Sequence, residues 1–419
     1  MWLFHLAIEK QNYKQMNHRK EENVSVWTKE KFIPKEELYK PGKRNIKLSI
    51  GFPDKGNVVE YRVPLTPQSV EVLVSNGHNV FVQKGAGKEA NYSDRAYAEA
   101  GAVICQDAAE IFQCDIILKM SPFTCDETEL LKGSQLLFSP VYLSLMTSDL
   151  VRKLMRKKVT AIGFEYLKDE YGISPLVQIS SEILGNISMV VASELLSSVN
   201  GKGVILGEVT GVAPSEVVIL GSGMVAEQAA RTAMALGAVV RVFDDSIHKL
   251  MSLKARLGMH ISTSVYHPKA LRKALKTAEV VLGAMPMNEV PGLIVPEDMV
   301  EGMKENSVII DLNIIQGGCF ETSRITTLKN PVYKVHGVIH CCVPNLESRV
   351  ARTASIAASN IFTPILLGIG QSGGVTEYIK GNRGFCEGVY LLNGILTNRD
   401  IAKTLSISDT DINLLLGAF

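Results

Sequence analysis

Residues Val217–Asp244 read VVILGSGMVAEQAARTAMALGAVVRVFD. An apolar β-type run enters the glycine pattern G-x-G-x-x-A at Gly221, Gly223 and Ala226. A helix-like segment follows, and a second β-type run ends in Asp244. Each small residue has a physical task in a dinucleotide-binding βαβ unit. Gly221 permits the tight strand-to-helix turn, Gly223 lets a pyrophosphate approach the backbone, and Ala226 lets the helix pack closely on the strand. The helix N-terminus then offers unpaired N–H groups and a partial positive charge to the phosphates. Asp244 follows about 20 residues later, where a carboxylate accepts hydrogen bonds from the adenosine ribose. A carboxylate there predicts NAD(H) as the cofactor, because it would repel the additional phosphate of NADP(H).

Length and composition bound the rest. At about 150 residues per domain, 419 residues suggest two or three domains. A hydrophobic content of 46% supports packed cores, and a net charge of +1 gives no electrostatic footprint for nucleic acid. The densest basic run, Arg152–Lys158, reads as the solvated face of a helix preceding the strand VTAIGF. The seven cysteines are odd in number and show neither C-x-x-C nor Cys/His ligand spacing. That pattern predicts reduced thiols, a cytoplasmic protein and no metal site. No run of about 18 consecutive apolar residues occurs, so no membrane span is expected. Residues 1–44 form an N-terminal extension without the features of a signal peptide. It reads either as an amphipathic arm or as an upstream start, with Met16 the true beginning.

From Lys47 onward β-type runs alternate with helical stretches. KLSIGFP, HNVFVQKG, DIILKM, QLLFSPV and VTAIGFE form one set; EVVILG, AVVRVFD, EVVLGAM and SVIIDL form another. Such alternation predicts an α/β fold of two doubly wound, Rossmann-like parallel sheets with a cleft between them. Long helical patterns over Ser180–Val199 and Arg349–Gly370 lead out of the first set and back towards it. The expected domains are therefore 45–178 plus 350–419 on the substrate side and 179–349 on the NAD side. The stretch from Gln371 reads as two short helical patterns with turn signals, a packing or subunit-contact tail.

In parallel sheets ligands sit beyond the carboxyl ends of the strands. Arg62 in VEYRVPLTP, Lys119 at the end of DIILKM, and Tyr142 closing LLFSPVYL meet that criterion. An arginine and a lysine converging on a cleft suit a carboxylate, although at a strand end either is more often a surface charge. Asp311 and Asn313 end SVIIDL and face the cofactor cleft by topology, with Asn313 on the nicotinamide side. His340 in VIHCCV reads as a structural histidine.

At these residues the chain resembles the alanine dehydrogenases and the related nucleotide-binding subunit of proton-translocating transhydrogenase. The likeness runs from about Lys47 to Gly370. It is carried by E-x-R-V-x-L-T-P (Glu60–Pro67), I-L-K (Ile117–Lys119), S-E-I-L-G (Ser181–Gly185) and V-V-I-L-G-S-G (Val217–Gly223). Q-G-G-C-F-E-T-S (Gln316–Ser323), H-C-C-V-x-N (His340–Asn345) and R-T (Arg352–Thr353) complete it. The Q-G-G-C-F-E-T-S-R run points to the dehydrogenase branch. The resemblance implies oxidative deamination of L-alanine by NAD, giving pyruvate and ammonia. It implies that Arg62 and Lys119 bind substrate, that Ser181 meets cofactor phosphate, and that Asp244 meets the ribose. Asn345 would lie near nicotinamide and substrate, in a homohexamer.

Two positions depart from the resemblance. Tyr142 stands where the family has a histidine, its presumed acid/base, and Ile315 where it has an aspartate. A histidine titrates near pH ~6.5 and a tyrosine near ~10, so the proton shuttle is altered. Three readings follow. Tyr142 could serve if the ammonium of Lys119 lowers its pKa. The chain could instead be an opine- or saccharopine-type reductase of another 2-oxo acid or imine. Or it could be a catalytically weak NAD-binding protein.

Overall fold

The computed structural model describes residues 45–54, 60–258, 261–285 and 295–418; the extension 1–44, with its Met16 alternative, lies outside them. In chain order the strands are β1 (Ser49–Phe52), β2 (Asn79–Gln83), β3 (Val103–Cys105), β4 (Ile116–Leu118), β5 (Leu136–Ser139) and β6 (Thr160–Gly163). There follow β7 (Glu216–Leu220), β8 (Val239–Asp244), β9 (Ser262–Val265), β10 (Val280–Gly283), β11 (Val308–Asp311), β12 (Val332–Val335) and β13 (Val338–Cys341). β14 (Val389–Leu392) and β15 (Ile395–Leu396) come last.

These form two sheets, ordered β15-β14-β6-β5-β4-β1-β2-β3 and β12-β13-β11-β10-β7-β8-β9. Both are mostly parallel. The antiparallel pairs are β14 with β6 and β15 in the first sheet and β12 with β13 in the second. The apolar runs are long and unalternating because central parallel strands are covered on both faces. Accordingly every residue of β10 and of β11 is buried. In β7 the register Val217↔Val240 and Val217↔Val280 sets the glycine loop beyond the carboxyl end of the sheet's middle.

The helix Pro175–Leu196 joins the two sheets, so the expected border at 178/179 falls in its first turns rather than in a loop. It packs against the helix Met224–Ala235, and Gly185 makes that approach possible. A Cβ there would stand 2.6 Å from the Cβ of Gln228 and 2.7 Å from the Val225 carbonyl oxygen. The helix Ala351–Gln371 carries the chain back. Its Ala358, Phe362, Leu366 and Ile369 share one core with Ile50 and Phe52 of β1 and with Val70 and Leu73 of the helix Pro67–Ser75. Side chains of this size each contribute roughly 1.5–3 kcal/mol on burial. By length and mean hydropathy Pro175–Leu196 and Leu346–Gln371 are apolar enough to cross a membrane, although neither holds about 18 consecutive apolar residues; each seats part of its surface in a core.

The C-terminal stretch corrects the expectation of two short helical patterns. It contains the hairpin β14–β15, which extends the first sheet, along with helices Val375–Gly381, Arg383–Glu387, Arg399–Leu405 and Ile412–Ala418. Asn393 (φ 49°) and Gly394 (φ 81°) form its two-residue turn, both in the left-handed region that a type I′ turn requires. All seven cysteines are unpaired and five are buried.

Candidate active site

Gly221 takes φ 103°, and a Cβ there would lie 2.4 Å from the Ala284 carbonyl oxygen. Only glycine fits that turn. Gly223 differs: its φ is −73°, and an added Cβ meets no heavy atom of the described residues within 4 Å. The space beside Gly223, at the start of the helix Met224–Ala235, suits a pyrophosphate, so the loop fits a dinucleotide. Ala226 is fully buried against the strand layer. Asp244 ends β8, where its carboxylate accepts from Ser222 Oγ (2.6 Å) and from the Ser246 N–H (2.9 Å). These bonds hold the acid beside the glycine loop.

Asp311, at the end of β11, is fully buried and accepts from the N–H groups of Asn313 (3.0 Å) and Cys319 (2.8 Å) and from Ser323 Oγ (2.6 Å). Burial pushes its carboxyl up, and those three donors offset the push. Asp311 thus ties down the Gln316–Ser323 run. Asn313, expected on the nicotinamide side, follows β11 directly before the turn Ile314–Gln316. Its Oδ1 accepts from the Met285 N–H (2.9 Å) and its Nδ2 donates to the Met285 carbonyl (3.0 Å). The amide thereby helps to fix the loop after β10. His340 is buried as expected of a structural residue, with Nε2 at 2.8 Å from Thr322 Oγ1 and Nδ1 at 3.1 Å from the Val338 carbonyl.

Residues from both sheets line one cavity of about 100 Å³. Arg62, Tyr142, Glu165 and Ser181 come from the first part of the chain, and Ile315, Asn345 and Glu347 from the second. The structure therefore brings together Arg62, Tyr142, Ser181 and Asn345. Lys119 instead lines a smaller neighbouring pocket with Arg62 and Glu60. It is buried, paired with Glu127, bonded to the Pro122 carbonyl (3.2 Å) and set over the Phe123 ring. Burial lowers its pKa against the opposing pull of Glu127.

Arg62 is not a free clamp. Its Nε and one terminal nitrogen donate to the two oxygens of Glu60, each at 2.8 Å, and its other terminal nitrogen donates to Glu347 at 2.8 Å. Burial opposes the charge on Arg62, yet the two carboxylates hold it firmly protonated. Burial also pushes Glu60 up, but Arg62 and Ser348 outweigh it and keep that carboxyl below its ordinary range. Glu347 is raised, by burial first, with Arg62 opposing and Glu60 adding to the rise. We predict that Arg62→Ala lowers stability by about 3–5 kcal/mol, since it strands two buried carboxylates. Urea unfolding would measure this, and a loss under about 1 kcal/mol would show that the pairs are solvated.

The phenol of Tyr142 is raised, chiefly by burial; Arg62 opposes this and Glu165 adds to it. Lys119 faces the neighbouring pocket and is paired with Glu127. The route in which Lys119 activates Tyr142 is therefore not the one this geometry provides. The sequence reading did not select Glu165, which follows β6 and faces the same cavity. Its two oxygens lie 3.0 Å from the Val141 N–H, and burial pushes its carboxyl up to about 7. It ends the run VTAIGFE, so the strand-end criterion that picked Arg62 applied to it equally.

Family models describe the same two parts. The N-terminal domain of the Alanine dehydrogenase/PNT family matches residues 53–184, and its C-terminal domain matches residues 188–399. The chain belongs to the alanine dehydrogenase/PNT family. It is 35% identical to an alanine dehydrogenase of Staphylococcus saprophyticus, covering 87% of this chain and 98% of that one. It is 38% identical to one of Methanococcus maripaludis, covering 84% and 95%. A solved L-alanine dehydrogenase superposes with a TM-score of 0.77 at 32% identity, over 85% of this chain and 99% of the other. A transhydrogenase from Sinorhizobium meliloti shares the fold, with a TM-score of 0.68 at 21% identity, over 84% and 99%. The family is NAD-dependent. Within it, Tyr142 and Ile315 stand at the two departures named above, and both line the cavity.

Proposed function

We propose that the chain is an NAD-dependent oxidoreductase of the alanine dehydrogenase type, acting on the CH–NH2 group of a small amino compound. The observations that support this most are a cavity lined from both parts of the chain and a glycine loop whose open space suits a dinucleotide. When bound, NAD supplies the acceptor for a hydride from the substrate carbon. The chain's residues do the rest. Arg62, Asn345 and Ser181 form polar walls that orient the substrate, while Ile315, Leu184 and Leu312 exclude water. Glu165 moves the proton, because a carboxyl near 7 exchanges protons around neutrality where the raised phenol of Tyr142 does not. Residues 45–178 plus 350–419 make the substrate side and 179–349 the nucleotide side. We place the enzyme in the cytoplasm as a homo-oligomer.

The test has two arms. NADH should protect the protein against thermal unfolding more than NADPH does; equal protection would remove the role given to Asp244. Alanine, other small amines and a panel of 2-oxo acids with ammonia are then followed by NADH absorbance. Turnover only when an amino acid supplies the amine would favour an opine-type reductase. Bound NADH with no turnover would favour a protein without catalysis.

A further inference from the structure

A packed tyrosine ordinarily finds a partner for its hydroxyl. Tyr97 donates to the Leu65 carbonyl and Tyr333 to the Thr322 carbonyl, each at 2.8 Å. Tyr266 differs. It stands directly after β9, whose last residue, Val265, pairs with Asp244 at the end of β8. Its ring stacks on Phe243, with centroids 6.4 Å apart and planes 14° apart, and stays partly exposed. The hydroxyl oxygen is buried and has no hydrogen-bond partner among the described residues. Burial pushes the phenol up, Asp244, Cys319 and Asp245 push it further, and the Gly221 backbone opposes them. The group is therefore a neutral donor. The Gly221 N–H is already given to the Phe243 carbonyl at 2.7 Å, and a backbone N–H could meet only the lone pairs of the oxygen. The proton of the Tyr266 hydroxyl is left without an acceptor, which is costly inside a fold and calls for an explanation.

We propose that Tyr266 is a cofactor-binding residue, whose hydroxyl donates to an acceptor oxygen on the ADP half of NAD. The inference rests on the placement of NAD at the glycine loop given above. The position of the side chain supports it. Gly221 opens the turn that receives the pyrophosphate, Asp244 is the acid expected at the ribose, and both act on this one phenol. Asp244 and Asp245 put negative charge on this side of the loop, so a neutral donor there helps an anionic ligand that the acids repel. The exposed part of the ring gives the ligand its approach, and a small turn of the side chain brings the hydroxyl to it. The ligand then supplies the acceptor that the fold withholds.

The experiment measures binding rather than turnover, in Tyr266→Phe, which keeps the ring and its stack on Phe243. ADP-ribose and reduced nicotinamide mononucleotide are titrated separately into wild type and variant, and the nucleotide-free proteins are unfolded in urea. The variant should bind ADP-ribose about tenfold more weakly, the scale of one hydrogen bond to a charged or strongly polar acceptor. Its affinity for the mononucleotide should not change. Its urea midpoint should equal or exceed that of wild type, because the free protein loses no bond. Unchanged affinity for ADP-ribose would overturn the inference and leave NAD binding standing. An equal loss for both probes would overturn it too, as would a lower urea midpoint, which would mean that the hydroxyl already has a partner in the fold. Failure of the wild type to bind NADH or ADP-ribose would sink the placement of NAD, and the inference with it.

Discussion

Glu165→Gln is expected to lower turnover by roughly 10²–10⁴-fold, the usual contribution of a positioned acid or base. The same substitution should make the fold more stable above neutral pH. Both effects come from one cause. The carboxyl lies after β6 against the cavity, with the backbone N–H groups of Val141 and of Glu165 itself to stabilise its charge, and burial moves it from an ordinary 4.5 to about 7. Amine oxidation needs the ionised form, so the rate should rise with pH through about 7. Reductive amination needs the protonated form, so its rate should fall through the same point. Both limbs should be lost in Glu165→Gln.

The stability effect has a definite sign. Between 4.5 and about 7 the folded chain keeps a proton on Glu165 that the unfolded chain has lost. Stability therefore declines as pH rises across that window and is flat above it, with a total cost of about 3 kcal/mol. A neutral glutamine removes the cost, so the variant should gain up to about that amount at the alkaline end and little at the acid end. Urea unfolding across the window measures it. A variant that is both inactive and less stable at every pH would indicate structural damage, and one with wild-type rates would take Glu165 out of the chemistry.

What was legible in the sequence follows from how local each cause is. The turn at Gly221 and the acid at Asp244 belong to one βαβ unit, and their steric and electrostatic demands act over a short span of chain. The hairpin turn at Asn393–Gly394 was equally local, since Asn-Gly between apolar runs is a strong hairpin signal. β3 and β9 are short edge strands in which only Cys105 is buried, so they carry no clear apolar pattern. The site was legible as positions but not as partners. Arg62 and Glu347 are 285 residues apart, and nothing near either one announces their ion pair. Asn313 was placed correctly at a strand end, but the direction of its amide depends on the Met285 backbone, which the loop after neighbouring β10 supplies. Glu165 met the positional criterion. Its importance comes from burial, which only the packed cavity shows.

Gly223→Val and Gly221→Ala should fail in opposite ways, although only Ser222 separates them. At Gly221 an L-residue is strained by φ 103°, and its Cβ meets the Ala284 carbonyl oxygen at 2.4 Å and Met285 Cα at 2.9 Å. Left-handed strain and overpacking each cost about 1–3 kcal/mol, so Gly221→Ala should lower the stability of the nucleotide-free protein by about 3–5 kcal/mol. Gly223 already has a backbone that any residue can adopt, with no atom of the described residues near its missing side chain. Gly223→Val should therefore unfold within about 0.5 kcal/mol of wild type. Its branched side chain would occupy the space into which the phosphates must come. NADH affinity should fall by about 100-fold or more, equivalent to roughly 3 kcal/mol of lost contact. Fluorescence titration with NADH and urea unfolding without it give the two readouts. A nonspecific disturbance of this loop would move both readouts together in both variants. Wild-type NADH affinity in Gly223→Val would show that the phosphates bind elsewhere. Separation of the two effects would mean that Gly221 serves the turn and Gly223 serves the ligand, which is the division of labour expected of a dinucleotide site.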